Sequence, residues 1–298
     1  MTLKAAKRGA IQPFIVMDVM RAANARQASG EDVLHLEVGQ PSTAAPRKVL
    51  ETARDALDRE LLGYTDAFGV PPLKEAIAGH YKQAYGVDVD PARIAVTTGS
   101  SGGFVLAFLS AFDAGDRVAL ASPGYPAYRN ILSALDIEVV DIQTGPESDF
   151  QPTPELLAQA VEQGGALDGL ILASPSNPAG TMIDAAGLKA LADYCRVQGI
   201  RMVSDEIYHG ITYEEPAQTM AAYEPEAFIV NSFSKYYSMT GWRLGWLIFP
   251  ESLARPIECL AQNLFISPPT LSQIAAVAAF DCGYRGTGTC HQRQRSAL

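Results

Sequence analysis

Between about residues 94 and 250, short apolar runs rich in β-branched residues alternate with longer stretches of helical period. "RIAVTT" precedes "GGFVLAFLSAF", "RVALASP" precedes "AYRNILSAL", and "GLILASP" precedes "DAAGLKALADYCRVQG". "RMVSDE" and "FIVNSF" follow as further strand-like runs, and "GWRLGWLIFP" reads as one more strand returning alongside them. This alternation predicts βαβ units, and so an α/β fold: a mostly parallel, doubly wound sheet with helices on both faces. The opening "MTLKAAKRGAIQPFIVMDVMRAANA" reads as an amphipathic first helix, because Pro13, Asp18 and Arg21 interrupt any secretory core. No run of eighteen apolar residues occurs, so no membrane-spanning helix is expected.

Each predicted strand is followed by a polar cluster: TTGSSGG, SPGYP, SPSNPAGT, SDEIY and NSFSK. In an open α/β sheet the carboxyl ends of parallel strands share one edge, and ligands bind there. Helix caps and turns favour Ser, Asn, Asp and Gly anyway, which accounts for any single cluster. It accounts poorly for a Lys, an Asp, a Tyr and an Asn at successive strand ends.

Composition narrows the function. The 298 residues carry a formal net charge of −10, which disfavours a general binder of nucleic acid or anionic membrane. The four cysteines, Cys195, Cys259, Cys282 and Cys290, include no CxxC pair, so a reducing, cytoplasmic compartment is expected, with no disulfide framework and no metal site.

"TTGSSGG", with Gly99, Ser100 and Ser101, outlines a phosphate cradle: small residues allow close approach, and a following helix offers unpaired N–H groups and a positive dipole end. It satisfies neither nucleotide fingerprint, and a plain helix cap would look similar. In "RMVSDEIY", Asp205 stands at a strand end with Tyr208 three residues on; alone, a capping Asp beside a core Tyr suffices. Asn177 before Pro178 reads as a turn residue and Tyr125 as a packing aromatic. Lys235 changes the weighting. Burial and the like charge of Arg243 are expected to lower its pKa, and a neutral amine can form a Schiff base. Ser232, Ser234 and Arg243 would bind a phosphate beside it. An amine, a phosphate site, a carboxylate for a ring nitrogen, a phenol and amide for a ring oxygen and a stacking aromatic together describe a pyridoxal phosphate site.

Ser232, Ser234, Lys235 and then Arg243 within "GWRLG", together with "SPSNPAGT", "DEIYHGITY", "GYTDAFGVPPLKEAI" and "HLEVGQPS", carry a family resemblance. Over residues 10 to 280 the chain resembles the class I/II aminotransferases, fold-type I enzymes that use pyridoxal 5'-phosphate. The resemblance implies Lys235 as the Schiff-base lysine, Asp205 at the pyridine nitrogen, and Tyr208 and Asn177 at the ring hydroxyl. It implies Tyr125 stacked on the ring and Ser100, Ser101, Ser232 and Arg243 around the phosphate, with Ser234 as a weaker transfer. Tyr64 would reach the phosphate of a neighbouring subunit's cofactor, implying a homodimer. Gly39, like Asn177, would lie near the substrate. An amino acid and a 2-oxo acid are the implied substrates.

The expected divisions are an N-terminal helix and arm over 1–45, a cofactor-binding large domain over 46–280 and an irregular tail over 281–298. In that tail Gly, Thr, Gln and Arg replace the apolar stripe. It reads as a truncation with an out-of-frame tail, the family's small C-terminal domain largely missing; a natural flexible terminus is the alternative. None of Arg285, Arg293 and Arg295 matches the family's carboxylate-binding arginine. Two rival functions stay open: a carbon–sulfur β-lyase using the same site, and a catalytically impaired binding protein. A transcription regulator would need a DNA-binding module ahead of "HLEVGQPS", where only about thirty residues stand.

Overall fold

The computed structural model describes residues 3–213 and 215–281. The expected tail beyond Asp281, with its three arginines, lies outside the described residues. The strands are β1 (Ile94–Thr97), β2 (Arg117–Ser122), β3 (Glu138–Gln143), β4 (Gly169–Ala173), β5 (Arg201–Asp205), β6 (Phe228–Ser232) and β7 (Gly245–Ile248). The helices are α1 (Ile15–Ala28), α2 (Arg47–Arg59), α3 (Pro71–Tyr85), α4 (Gly99–Ala111) and α5 (Pro126–Ala134). They continue as α6 (Pro154–Gly164), α7 (Ala185–Gln198), α8 (Ala254–Leu264) and α9 (Thr270–Phe280).

Local chemistry explains the boundaries. Asp184 caps α7 by accepting from Gly187 N at 2.7 Å, and Gly199 ends it in the left-handed region that glycine adopts without steric cost. Proline stands in the first turn of α3, α5 and α6, where its missing N–H would have no helical partner.

The strands form one sheet in the order β1-β7-β6-β5-β4-β2-β3. Pairs from β6 through β3 are parallel, and β7 is antiparallel to both β6 and β1. Two antiparallel pairings in succession restore direction, so β1 ends at the same sheet edge as β2, β4, β5 and β6. β7 begins at that edge, which brings Arg243, just ahead of it, to the ends of the other strands.

Alternate strand residues enter two separate cores. Val96, Leu170, Leu172, Met202, Ile229 and Trp246 pack with residues of α2, α3, α6, α7 and α9. Ala95, Ile171, Val203, Phe228, Val230 and Leu247 pack with α4, α5 and α8 on the opposite face. The doubly wound expectation therefore holds, and both faces of the central strands are removed from water, which is why those strands are continuously apolar. α1 has no buried residue.

Candidate active site

The polar clusters after β1, β2, β4, β5 and β6 meet the N-terminal arm around a cleft of about 650 Å³. Gly39, Ser100, Tyr125, Asn177, Asp205, Tyr208 and Lys235 all line it. Lys235 Nζ donates to the Gly39 carbonyl and lies 5.9 Å from the centre of the Tyr208 ring. Asn177 Nδ2 donates to the Tyr208 hydroxyl at 3.2 Å.

Asp205 is 4% exposed and accepts from the Tyr128 hydroxyl and, at 3.0 Å, from Ile207 N–H. Burial raises its pKa to about 6, against the pull of those two donors and of Lys235. The same burial, Asp205's charge and the hydrogen bond to it push the Tyr128 phenol well up, so it stays a donor. Tyr128 is a site residue that sequence reasoning missed. It stands one helical turn after Tyr125, on the same side of α5, and the two rings meet edge-on at 5.3 Å.

Burial lowers the pKa of the half-buried Lys235 amine, and the charge acting on it is that of Asp205, which raises it. The expected like-charge contribution of Arg243 is thus corrected. That guanidinium is turned toward the first residue of α4, where a Cβ built on Gly99 would come within 2.5 Å of Nη2, and its Nη1 donates to the Thr240 carbonyl at 3.1 Å. Gly99 also has φ +74°, and a Cβ on Gly245 would stand 2.9 Å from Ser100 N. Close packing of β7 beneath α4 therefore requires glycine at position 245, and the left-handed backbone favours it at position 99. Gly99→Ala is expected to destabilise the chain by ~1–2 kcal/mol from left-handed strain alone, checked by urea denaturation.

The other expected residues are placed less centrally. Ser232 and Ser234 are buried and bonded to each other at 2.9 Å, with Ser232 Oγ also donating to the Leu244 carbonyl. Ser101 is exposed beside Ser100 and does not line the cleft. Tyr64 is 84% exposed and lies outside it.

The aminotransferase class I and II family model matches residues 31–283. The chain belongs to this family. It is 52% identical to valine–pyruvate aminotransferase of Mycobacterium tuberculosis, over 94% of this chain and 72% of that protein. It is 32% identical to aspartate aminotransferase of Geobacillus stearothermophilus, over 93% and 72%. A crystal structure of an aminotransferase from Mycobacterium tuberculosis superposes with a TM-score of 0.91 at 49% identity, covering 99% of this chain and 74% of that one. Aspartate aminotransferase from Thermus thermophilus with maleate also gives 0.91, at 28% identity, over 99% and 76%.

The chain is accordingly a pyridoxal-phosphate-dependent class I/II aminotransferase of fold type I, acting on amino-acid and 2-oxo-acid substrates. The site fits that cofactor. Asp205 is a buried carboxylate whose direct donors are neutral, so a protonated ring nitrogen would supply the missing countercharge. Beside the cleft, the N-terminus of α4 at Gly99 and the Arg243 guanidinium packed against it offer N–H donors and positive charge suited to a phosphate.

Proposed function

We propose that Lys235 holds the cofactor's aldehyde carbon, Asp205 its ring nitrogen, Tyr208 and Asn177 its ring hydroxyl and Tyr125 its ring face. Gly99, Ser100, Ser101, Ser232, Ser234 and Arg243 form the phosphate end. The observation that carries this reading is the convergence of Lys235, Asp205, Tyr208 and Asn177 on one cleft.

When bound, pyridoxal phosphate supplies an aldehyde that condenses with amines and a ring that accepts the electron pair of a breaking bond at the substrate's Cα. Asp205, kept from water, holds a proton on the ring nitrogen. Tyr128 holds Asp205 and uses one of its oxygen lone pairs. Lys235, its pKa lowered by burial, is more often a free amine than a surface lysine and can take the proton from the substrate's Cα. Gly39 bounds the substrate end.

The mouth of the cleft supports a preference for amino acids with apolar side chains. Phe14, Val16, Met17, Met182 and Ile211 line the cleft, and Glu37, a lining carboxylate besides Asp205, would repel a second acid group. Similarity to a valine–pyruvate aminotransferase points the same way. The test is incubation of the cofactor-loaded chain with L-valine and pyruvate. Alanine formation matched by loss of valine supports the reading; pyruvate and ammonia from a cysteine conjugate, with no amine transfer, would favour the β-lyase.

A homodimer belongs to the same proposal, supported by Leu61 and Tyr64, which are 96% and 84% exposed. Sedimentation is expected to show twice the chain mass, and a monomer would remove Tyr64 from the site. The division into an arm over 1–45 and a large domain over 46–280 is supported by α1, which buries no residue. A reducing, cytoplasmic setting is supported by the free thiols of Cys195 and Cys259.

A further inference from the structure

After β5 the chain turns over residues 206 to 210, and its side chains divide. Asp205, Ile207 and Tyr208 line the cleft, whereas Glu206 and His209 do not. These last two are 1% and 5% exposed, so each polar atom needs an accounted partner.

Glu206 Oε1 accepts from Met220 N at 2.9 Å, Thr219 Oγ1 at 3.0 Å and Ser204 Oγ at 3.3 Å. Its Oε2 is buried with no hydrogen-bond partner, and His209 Nδ1 stands 3.5 Å away. His209 Nε2 is 2.9 Å from the Ser174 carbonyl oxygen. A carbonyl can only accept, so Nε2 carries the hydrogen. Nδ1 lies 2.8 Å from the Tyr85 hydroxyl and, in a neutral ring, accepts from it. Burial lowers the His209 pKa to about 4 and raises that of Glu206 to about 8, so both directions agree with an uncharged pair.

Ser174 opens the loop that carries Asn177. That loop closes on itself through Ser176 N to Thr181 O and Gly180 N to Ser176 O, each 2.9 Å, and Ser174 Oγ accepts from Ile183 N. Consecutive residues after β5 therefore touch the loop at two points: Tyr208 at Asn177, and His209 at the base.

We propose that His209 is a positioning residue for Asn177: fixed by Tyr85 from α3, it donates to the Ser174 carbonyl and sets where the loop presents Asn177 to Tyr208. This rests on Asn177 and Tyr208 contacting the cofactor's ring hydroxyl. A shift of the loop base would carry Asn177 away from its 3.2 Å contact with Tyr208.

The experiment compares the full chain with His209→Phe, which fills the space without a donor, and His209→Gln, whose amide reaches as far as Nε2. Tyr85→Phe serves as the milder change should His209→Phe fail to fold. Three quantities are measured: hydrogen exchange of the Gly180 and Ile183 amides, the dissociation constant of pyridoxal phosphate, and the pH midpoint of its Lys235-dependent absorption band. In His209→Phe, exchange and dissociation constant are expected to rise about tenfold, the worth of one buried hydrogen bond, and the band's midpoint to shift. His209→Gln is expected to restore all three, and Tyr85→Phe to give the same changes in smaller degree. Wild-type exchange and an unshifted band in the Phe variant would overturn the proposal, as would equal loss in the Phe and Gln variants. If wild-type protein shows no Lys235-dependent band, the functional reading fails separately, and exchange in the cofactor-free chain still decides whether His209 holds the loop.

Discussion

Lys235→Ala is expected to lower the rate of amino transfer by about 10⁴-fold at saturating pyridoxal phosphate, the upper end of what a positioned acid–base group contributes. The reason is geometric as well as chemical. Lys235 is the lysine that lines the cleft among the described residues, and its amine is held to the Gly39 carbonyl beside Tyr208. Among the described residues no second lysine lines the cleft to move a proton at the substrate's Cα. Initial rates with and without a small added amine check this. Partial rescue by the amine fits a lost proton carrier, whereas a variant within tenfold of wild type would remove Lys235 from the mechanism.

Asp205→Asn should separate stability from function. Burial raises the wild-type carboxyl's pKa to about 6 in the folded chain, from an ordinary 3.8. Because the folded value lies above the unfolded one, its contribution to stability is fully present below about 3.8 and is lost as pH rises through about 6. The shift of roughly two units corresponds to ~3 kcal/mol at pH 8. Asparagine carries no charge, and its Oδ1 can accept from Ile207 N–H while its Nδ2 donates to the Tyr128 hydroxyl, which can rotate to accept. The cofactor-free variant is therefore expected to be more stable than wild type by ~3 kcal/mol at pH 8 and to approach it below about pH 3, read from urea denaturation. Turnover should fall by ~10²–10³-fold, as when one preorganised charge-stabilising group is removed. A less stable variant at pH 8 would mean that Asp205 is already paired in the cofactor-free chain.

The buried strands were legible because they lie under helices on both faces and so read as unbroken apolar runs. β3 was not singled out: it is the edge strand, and Glu138, Asp141 and Gln143 break its pattern. Lys235, Asp205, Tyr208 and Asn177 were legible because each sits in a cluster that closes a strand. Tyr128 was not, since nothing in "PAYRN" distinguishes a donor to Asp205 from a core aromatic. His209 and Glu206 stood in the quoted motif without roles, because their partners Tyr85, Ser174 and Thr219 come from other elements. The effect of Arg243 on Lys235 was misjudged for a related reason. Eight residues of separation say how near two side chains can come, not which way a left-handed backbone at Arg243 turns one of them.

The antiparallel placement of β7 between β1 and β6 carries an expectation for the order of assembly. β1 is made first among the strands, yet its sheet partner is β7, the last. A growing chain can pair β2 through β6 and pack α4 against the face of β6 while β1 still has no sheet edge to join. The phosphate cradle needs Gly99 from one side of that gap and Arg243 from the other, so it comes into being only when β7 inserts. Nascent chains stopped before Ile248 are thus expected to hold most of the sheet and none of the cradle, making cofactor capture a late event in biosynthesis.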